Sequence, residues 1–178
     1  CQSLQPHRTE FDIFEHLGAS IIALQGTRLL QRHASFQGTL PLVHWHGSEY
    51  DVLHWPAGDG PAARAAGVAI GLSAHLFPGK AYRKIFTPPD ELQGRGGAVR
   101  LRLRGRYDVL AMTLYLPPAR SGPGSRGIVN KLLDWASEIL RGAPRRTLPL
   151  LLLDANASFP AARPQSDEAA DVGLVPIG

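Results

Sequence analysis

The spacing of apolar residues changes period several times along the chain, and each change marks an element. Residues 9–18 read as a short amphipathic helix: Thr9 and Asp12 stand at capping spacing, Phe11, Phe14 and Leu17 recur at helical intervals, and Gly18 suits the C-terminal cap. Residues 20–24, Ser20-Ile21-Ile22-Ala23-Leu24, predict a buried strand ending at Gln25-Gly26-Thr27-Arg28. Residues 42–55 are mixed, with Val43, Trp45 and Tyr50 favouring extended segments, and residues 56–60 form a turn. A further strand is predicted over 67–74. Residues 98–103 alternate cleanly, with Val99, Leu101 and Leu103 on one face and Arg100, Arg102 and Arg104 on the other. A turn at Gly105 leads into apolar residues 107–115, so the pair reads as a hairpin. Val129, Leu132, Leu133, Ala136, Ile139 and Leu140 form a helical stripe over 126–141, stopped by Gly142 and Pro144. The continuous apolar run 148–153 predicts a strand buried on both faces. The order of helix, strand, hairpin-like strands, helix and strand is that of a mixed-sheet α/β protein.

Composition narrows this picture. The 178 residues suit one domain, placed at 1–160, with 161–178 expected as a loop or disordered tail. An apolar content of 44% with 19% charged residues is that of a globular chain. No apolar run approaches the ~18–20 residues that span a bilayer, and the first residues lack the apolar stretch of a signal peptide. Without Met at position 1 the chain reads as a piece of a longer one. A single cysteine, Cys1, excludes an internal disulfide and a multi-cysteine metal cluster, which fits a reducing compartment. The net charge of +4 permits contact with a polyanion. Arginine outnumbers lysine, and guanidinium forks bind phosphate in bidentate fashion, though a GC-rich coding sequence gives the same bias.

Candidate chemistry gathers at strand ends. Run 148–153 stops abruptly at Asp154-Ala155-Asn156, a carboxylate and a carboxamide at the carboxyl end of a strand, where open α/β sheets bind ligands. Period-two geometry would put both side chains on one side, able to orient a water and donate to a phosphate. The same residues equally close a strand as an Asx-turn.

Together with Gln25-Gly26-Thr27-Arg28, Gly67-Val68-Ala69-Ile70 and Tyr115-Leu116-Pro117, the Leu153-Asp154-Ala155-Asn156 step resembles the ordered motifs of the endonuclease/exonuclease/phosphatase superfamily. The resemblance covers about residues 1–160 and is nearest to the endonuclease domains of non-LTR retrotransposons; Cys1-Gln2-Ser3-Leu4 matches the start of such domains if an Asn precedes it. It implies a four-layer α/β sandwich of two mixed sheets with helices outside, lacking its C-terminal part here. It also implies metal-assisted phosphodiester hydrolysis with Mg²⁺, or Mn²⁺ in its place, acting on DNA or another phosphodiester. Asp154 would orient and help deprotonate the attacking water and contribute to metal binding. Asn156 would bond the phosphate or the water, and Tyr115 would stabilise the transition state or leaving group. Thr27 and Arg28 would support the metal loop and meet the nucleic-acid backbone. A reverse transcriptase in the full-length polyprotein and an intracellular, nuclear setting follow from the same resemblance.

Departures are as informative. The superfamily's metal-binding Glu falls at Gly26, Leu153 stands where Gly is usual, and Pro118 where DNA-repair members carry Asn. The closing Ser-Asp-His motif is absent, and none of the seven histidines lies after Asn156. Loss of a general base or principal ligand commonly costs ~10²–10⁴-fold in rate, so a weak or inactive nuclease is expected. A non-catalytic nucleic-acid-binding remnant, and a phosphoesterase acting on phospholipids, inositol phosphates or RNA, remain open.

Other features read more plainly. His44 and His46 share a strand face but lack a third ligand type, so a structural role is favoured over zinc. The Arg100, Arg102, Arg104 and Arg106 face suits phosphate contact or a solvated outer strand equally well. Trp45, Trp55 and Trp135 are read as packing, and 94–97 as a turn.

Overall fold

Two four-stranded sheets lie face to face in the computed structural model, which describes residues 18–28, 43–46 (backbone only), 50–58, 66–78, 81–103, 107–118 and 124–156. The first sheet contains β1 (Ile21–Gln25), β2 (Val43–His46), β3 (Tyr50–Trp55) and β4 (Val68–Ser73) in the order β1-β4-β3-β2, antiparallel throughout. The second contains β5 (Tyr82–Phe86), β6 (Gly96–Arg102), β7 (Asp108–Tyr115) and β8 (Thr147–Asp154) in chain order. Its first three strands are antiparallel, whereas β7 and β8 run parallel, joined through helix α1 (Gly124–Arg141).

Alternation along the strands divides the interior into two cores. Leu53, Trp55, Val68, Ile70 and Leu72 of the first sheet meet Val99, Leu101, Val109 and Ala111 of the second. The opposite set on β6 and β7, Ala98, Leu110, Met112 and Leu114, receives Leu132, Ala136 and Ile139 of α1. Period two on the strands and period 3.6 on the helix thus supply matching stripes. Gly97 lets the sheets close up: a Cβ there would run into the indole of Trp55. Trp55 and Trp135 are packing residues, the second lying against Gly96 and the helix-side core.

Several expectations need correction. The two-sheet α/β sandwich is as expected; among the described residues its first sheet is antiparallel, its second is mixed, and α1 on the second sheet is the one helical layer. Helix α1 starts two residues earlier than the stripe implied, and Leu133 and Leu140 lie outside its buried face at 42% and 41% exposure. β5 was not foreseen, because Arg83 and Lys84 interrupt its apolar pattern. The largest difference is β8, expected to be buried on both faces. Leu148, Leu150, Leu151 and Leu153 are 52%, 37%, 49% and 42% exposed. An apolar run has the same pattern in a central and in an edge strand, and among the described residues β8 is the last strand of its sheet.

Backbone bonds define which side of β8 faces away from β7. Asp108 donates its N–H to the Arg146 carbonyl and Leu116 to that of Asp154, so even-numbered residues turn their polar groups toward β7. Pro149 falls in the outward set, where its missing N–H costs the ladder nothing. The predicted helix over 9–18, apart from Gly18, and the tail 161–178 lie outside the described residues, as do the side chains of His44, Trp45 and His46.

Candidate functional site at the ends of β1, β7 and β8

The end of β1 is fastened to the second sheet by one side chain. Gln25 Nε2 donates to Thr113 Oγ1 of β7 at 3.0 Å and approaches the Leu152 carbonyl of β8 at 3.5 Å. Thr113 is fully buried, so the bond satisfies a hydroxyl that water does not reach. Beyond it the chain turns through Gly26 at φ +66 and Arg28 at φ +57. This bend is held to the start of β4 by Thr27 N–H to the Gly67 carbonyl at 3.0 Å and Arg28 N–H to that of Ala66 at 2.9 Å.

Thr27 faces inward. Its hydroxyl lies 2.8 Å from Nε2 of His54, a fully buried imidazole on β3 whose pKa burial lowers to about 4. His54 is therefore neutral at physiological pH, and the pair secures the loop from beneath. Arg28 is exposed at its tip.

Across the gap, Tyr115 and Asp154 are register partners in the parallel pair β7–β8. Such partners put their side chains on one face of the sheet; Tyr115, packed against the core between the sheets, identifies that face as the one turned toward β1. Strand geometry stops at Asp154. Asn156 has φ +45, donates its N–H to Asp154 Oδ1 at 3.1 Å and its Nδ2 to the Leu116 carbonyl at 2.8 Å. The Asx-turn is thus present, and period-two placement of Asp154 and Asn156 does not hold. The turn ties the end of β8 to the end of β7 and leaves Asp154 Oδ2 outside these bonds.

A third member of the row was missed in the sequence. Arg95, just before β6, accepts the Tyr115 N–H on its carbonyl at 2.8 Å, and its guanidinium carbon lies 5.8 Å from the Tyr115 ring centre. Gly94 beside it accepts the Gly67 N–H at 2.7 Å, linking this turn to the β1 loop. The glycines around Arg95 spell a turn, and only the tertiary register puts its side chain beside Tyr115. Of the arginine ladder, Arg100 and Arg102 pair with one carboxylate: their Nε atoms lie 3.6 and 2.6 Å from that of Asp108. Arg104 and Arg106 lie outside the described residues.

The architecture has counterparts among solved structures. TDP2 of D. rerio, complexed with a single-stranded DNA product, superposes with a TM-score of 0.53 at 15% identity over 85% of this chain and 54% of that one. The human Nocturnin catalytic domain, with a bound sulfate anion, gives 0.55 at 17% identity over 88% and 59%. ANGEL2, a 2′,3′-cyclic phosphatase, gives 0.53 at 13% over 84% and 43%. All three belong to the endonuclease/exonuclease/phosphatase superfamily. This chain has their fold. It spans a little over half the length of the TDP2 and Nocturnin chains. No protein-family profile matches the sequence, and no curated protein matches it.

Within the endonuclease/exonuclease/phosphatase fold, the donor set decides whether a metal is held. Mg²⁺ takes oxygen ligands, usually one or two carboxylates with substrate phosphate and waters. Asp154 is the one carboxylate in this group of strand ends, its Oδ1 already accepts an N–H, and Gly26 offers only a carbonyl. Among the described residues no group of three His, Cys, Asp or Glu side chains converges. These residues do not fit a divalent cation. No helix among them is long and apolar enough to cross a membrane.

Proposed function

We propose that the chain is a phosphodiester-directed domain that receives a DNA strand at the ends of β1, β7 and β8, and hydrolyses it weakly or not at all in this form. The observation that carries this reading is the Tyr115–Asp154 register beneath a β1 end fastened by Gln25. In the proposed site Asp154 orients a water and takes its proton, Tyr115 steadies charge on the phosphoryl or leaving oxygen, and Asn156 holds the turn that aims Asp154 while its carboxamide meets the phosphate. Thr27 supports the β1 loop, and Arg28 meets the strand's backbone by charge.

Mg²⁺, implied by motif resemblance, would polarise the phosphoryl group, but Gly26 withholds the second carboxylate that would hold it. The likeness to TDP2, described with a DNA product, and to the cyclic phosphatase ANGEL2 supports phosphoester chemistry as the class. Retrotransposon-like motif order favours DNA and a reverse transcriptase in the same polyprotein.

Supercoiled plasmid incubated with Mg²⁺ or Mn²⁺ is expected to stay within background of the Asp154→Ala control. Nicking above background that this substitution abolishes would restore the domain as an active endonuclease. Turnover of a 2′,3′-cyclic nucleotide, with plasmid untouched, would move it to another branch of the fold.

A further inference from the structure

Charge is unevenly spread over the second sheet. Its strands carry four cations, Arg83, Lys84, Arg100 and Arg102, all on β5 and β6, and two acids, Asp108 and Asp154. Asp154 belongs to the strand ends described above. Asp108 begins β7, roughly 23 Å from Tyr115 at ~3.3 Å per residue. Alternation turns three of the cations outward. Ala98 and Leu110 pack against α1, so Arg100, Arg102 and Asp108 share that face. Lys84 pairs with Arg100 as Phe86 does with Ala98, and so joins the row. Where apolar side chains would continue the helix-side core, this end of the sheet is basic.

One carboxylate serves two guanidiniums. Buried Asp108 lies 2.6 Å from Arg102 Nε and 3.6 Å from Arg100 Nε. The contacts are ionic: neither Arg100 Nε nor Asp108 Oδ1 takes part in a hydrogen bond. Asp108 therefore holds both forks by charge, and Arg102 is exposed. With Lys84, three cations against one carboxylate leave the face net positive. Exposed Arg146, whose carbonyl accepts the Asp108 N–H, adds to it, and Arg104 and Arg106 follow in the sequence. Tyr107, next to Asp108 in the chain, is 54% exposed. Cationic forks near an accessible aromatic ring suit a single nucleic-acid strand: charge meets its phosphates, and a flat ring meets a base.

We infer that this face is a second nucleic-acid contact, in which Lys84, Arg100 and Arg102 hold the phosphates of a single strand and Tyr107 stacks on one of its bases. Alternate residues of a β-strand stand ~7 Å apart, a separation that lets the two forks meet neighbouring phosphates. Arginine at both positions allows bidentate contact. Ordering both guanidiniums on Asp108 beforehand lowers the cost of binding. Phosphate contacts carry no base code, so the face grips a strand without selecting its sequence. The inference stands apart from the reaction proposed at the ends of β1, β7 and β8. It concerns the opposite end of β7 and holds whether or not the strand is cleaved.

Salt dependence tests this, read as fluorescence anisotropy of a labelled oligothymidylate of about 20 nucleotides. Each single-strand phosphate contact contributes ~0.7 to the slope of log K against log salt. Arg102→Gln leaves Arg100 beside Asp108 and is expected to lower the slope by about 0.7. Adding Lys84→Gln should bring the loss to about 1.4. Lys131→Gln, which removes an exposed cation of α1, should leave the slope unchanged. Tyr107→Ala should weaken binding roughly tenfold at constant slope, the scale of one stacked base. Equal slopes in wild type and the double variant, or no binding by wild type, overturn the inference. An affinity unmoved by Tyr107→Ala overturns the single-strand assignment. Phosphatidylserine vesicles that bind in place of the oligonucleotide, and are lost in the same variants, overturn it by assigning the face to a membrane. Should the double variant fail to fold, acetylation of wild type decides: bound oligonucleotide must slow modification of Lys84 more than of Lys131. Equal protection would contradict the assignment.

Discussion

Gln25 of one sheet donates to Thr113 of the other, and this bond sets where β1 ends relative to β7 and β8. Its loss leaves a buried hydroxyl without a partner. Gln25→Ala is expected to cost about 1–2 kcal/mol, read as a lower urea midpoint at unchanged slope. Oligonucleotide binding should weaken with it, because the β1 loop is no longer held over Tyr115 and Asp154. An unchanged midpoint would mean that core packing alone aligns the sheets.

Gly26 combines two properties that act against each other. It withholds a carboxylate, and its φ of +66 is one that side chains avoid. Gly26→Glu is therefore expected to lower stability by about 1 kcal/mol while creating Mn²⁺ affinity absent from wild type. Calorimetric titration with Mn²⁺ and thermal melting measure the two effects separately. A stable variant that binds no Mn²⁺ would show that Asp154 and residue 26 do not face a common point.

Motif order revealed more of this site than side-chain periodicity did. The β6–β7 alternation, α1 and the ends of β1 and β8 were all legible because each depends on local pattern. Asn156 was misplaced because the strand period was extended through a left-handed residue. Arg95 was invisible because its significance arises from register across three strands, which no local window contains. β8 was assigned two buried faces because an edge position is a property of topology, and its four exposed leucines carry no signal of it.

His54 makes folding sensitive to mild acid. Burial holds its pKa at about 4, below the ordinary 6.5. Between these values the unfolded chain binds a proton that the folded chain refuses, so stability is fully present above 6.5 and falls as pH drops toward 4. At about 1.4 kcal/mol per pH unit, that span corresponds to roughly 3 kcal/mol. Urea titrations at several pH values should show this slope, and His54→Gln should remove it. A slope that survives the substitution assigns the effect to another group.

Among the described residues β8 is the last strand of its sheet, and its outward side predicts self-association. Leu151 and Leu153 are exposed, and their backbone polar groups turn away from β7. Leu151→Lys is expected to raise the monomer fraction in light scattering with the melting temperature nearly unchanged, since a charged edge discourages strand addition. A substantial drop in melting temperature would show that Leu151 is packed within the chain.

The central claim is a location: phosphodiester binding at the row formed by Arg95, Tyr115 and Asp154 beneath the Gly26–Arg28 loop. Backbone amide resonances followed during titration with a short single-stranded DNA test it most directly. The account predicts that the largest shifts fall on these residues and weaken with added salt. Shifts confined to Arg100, Arg102 and their surroundings, or no shifts at all, would contradict it.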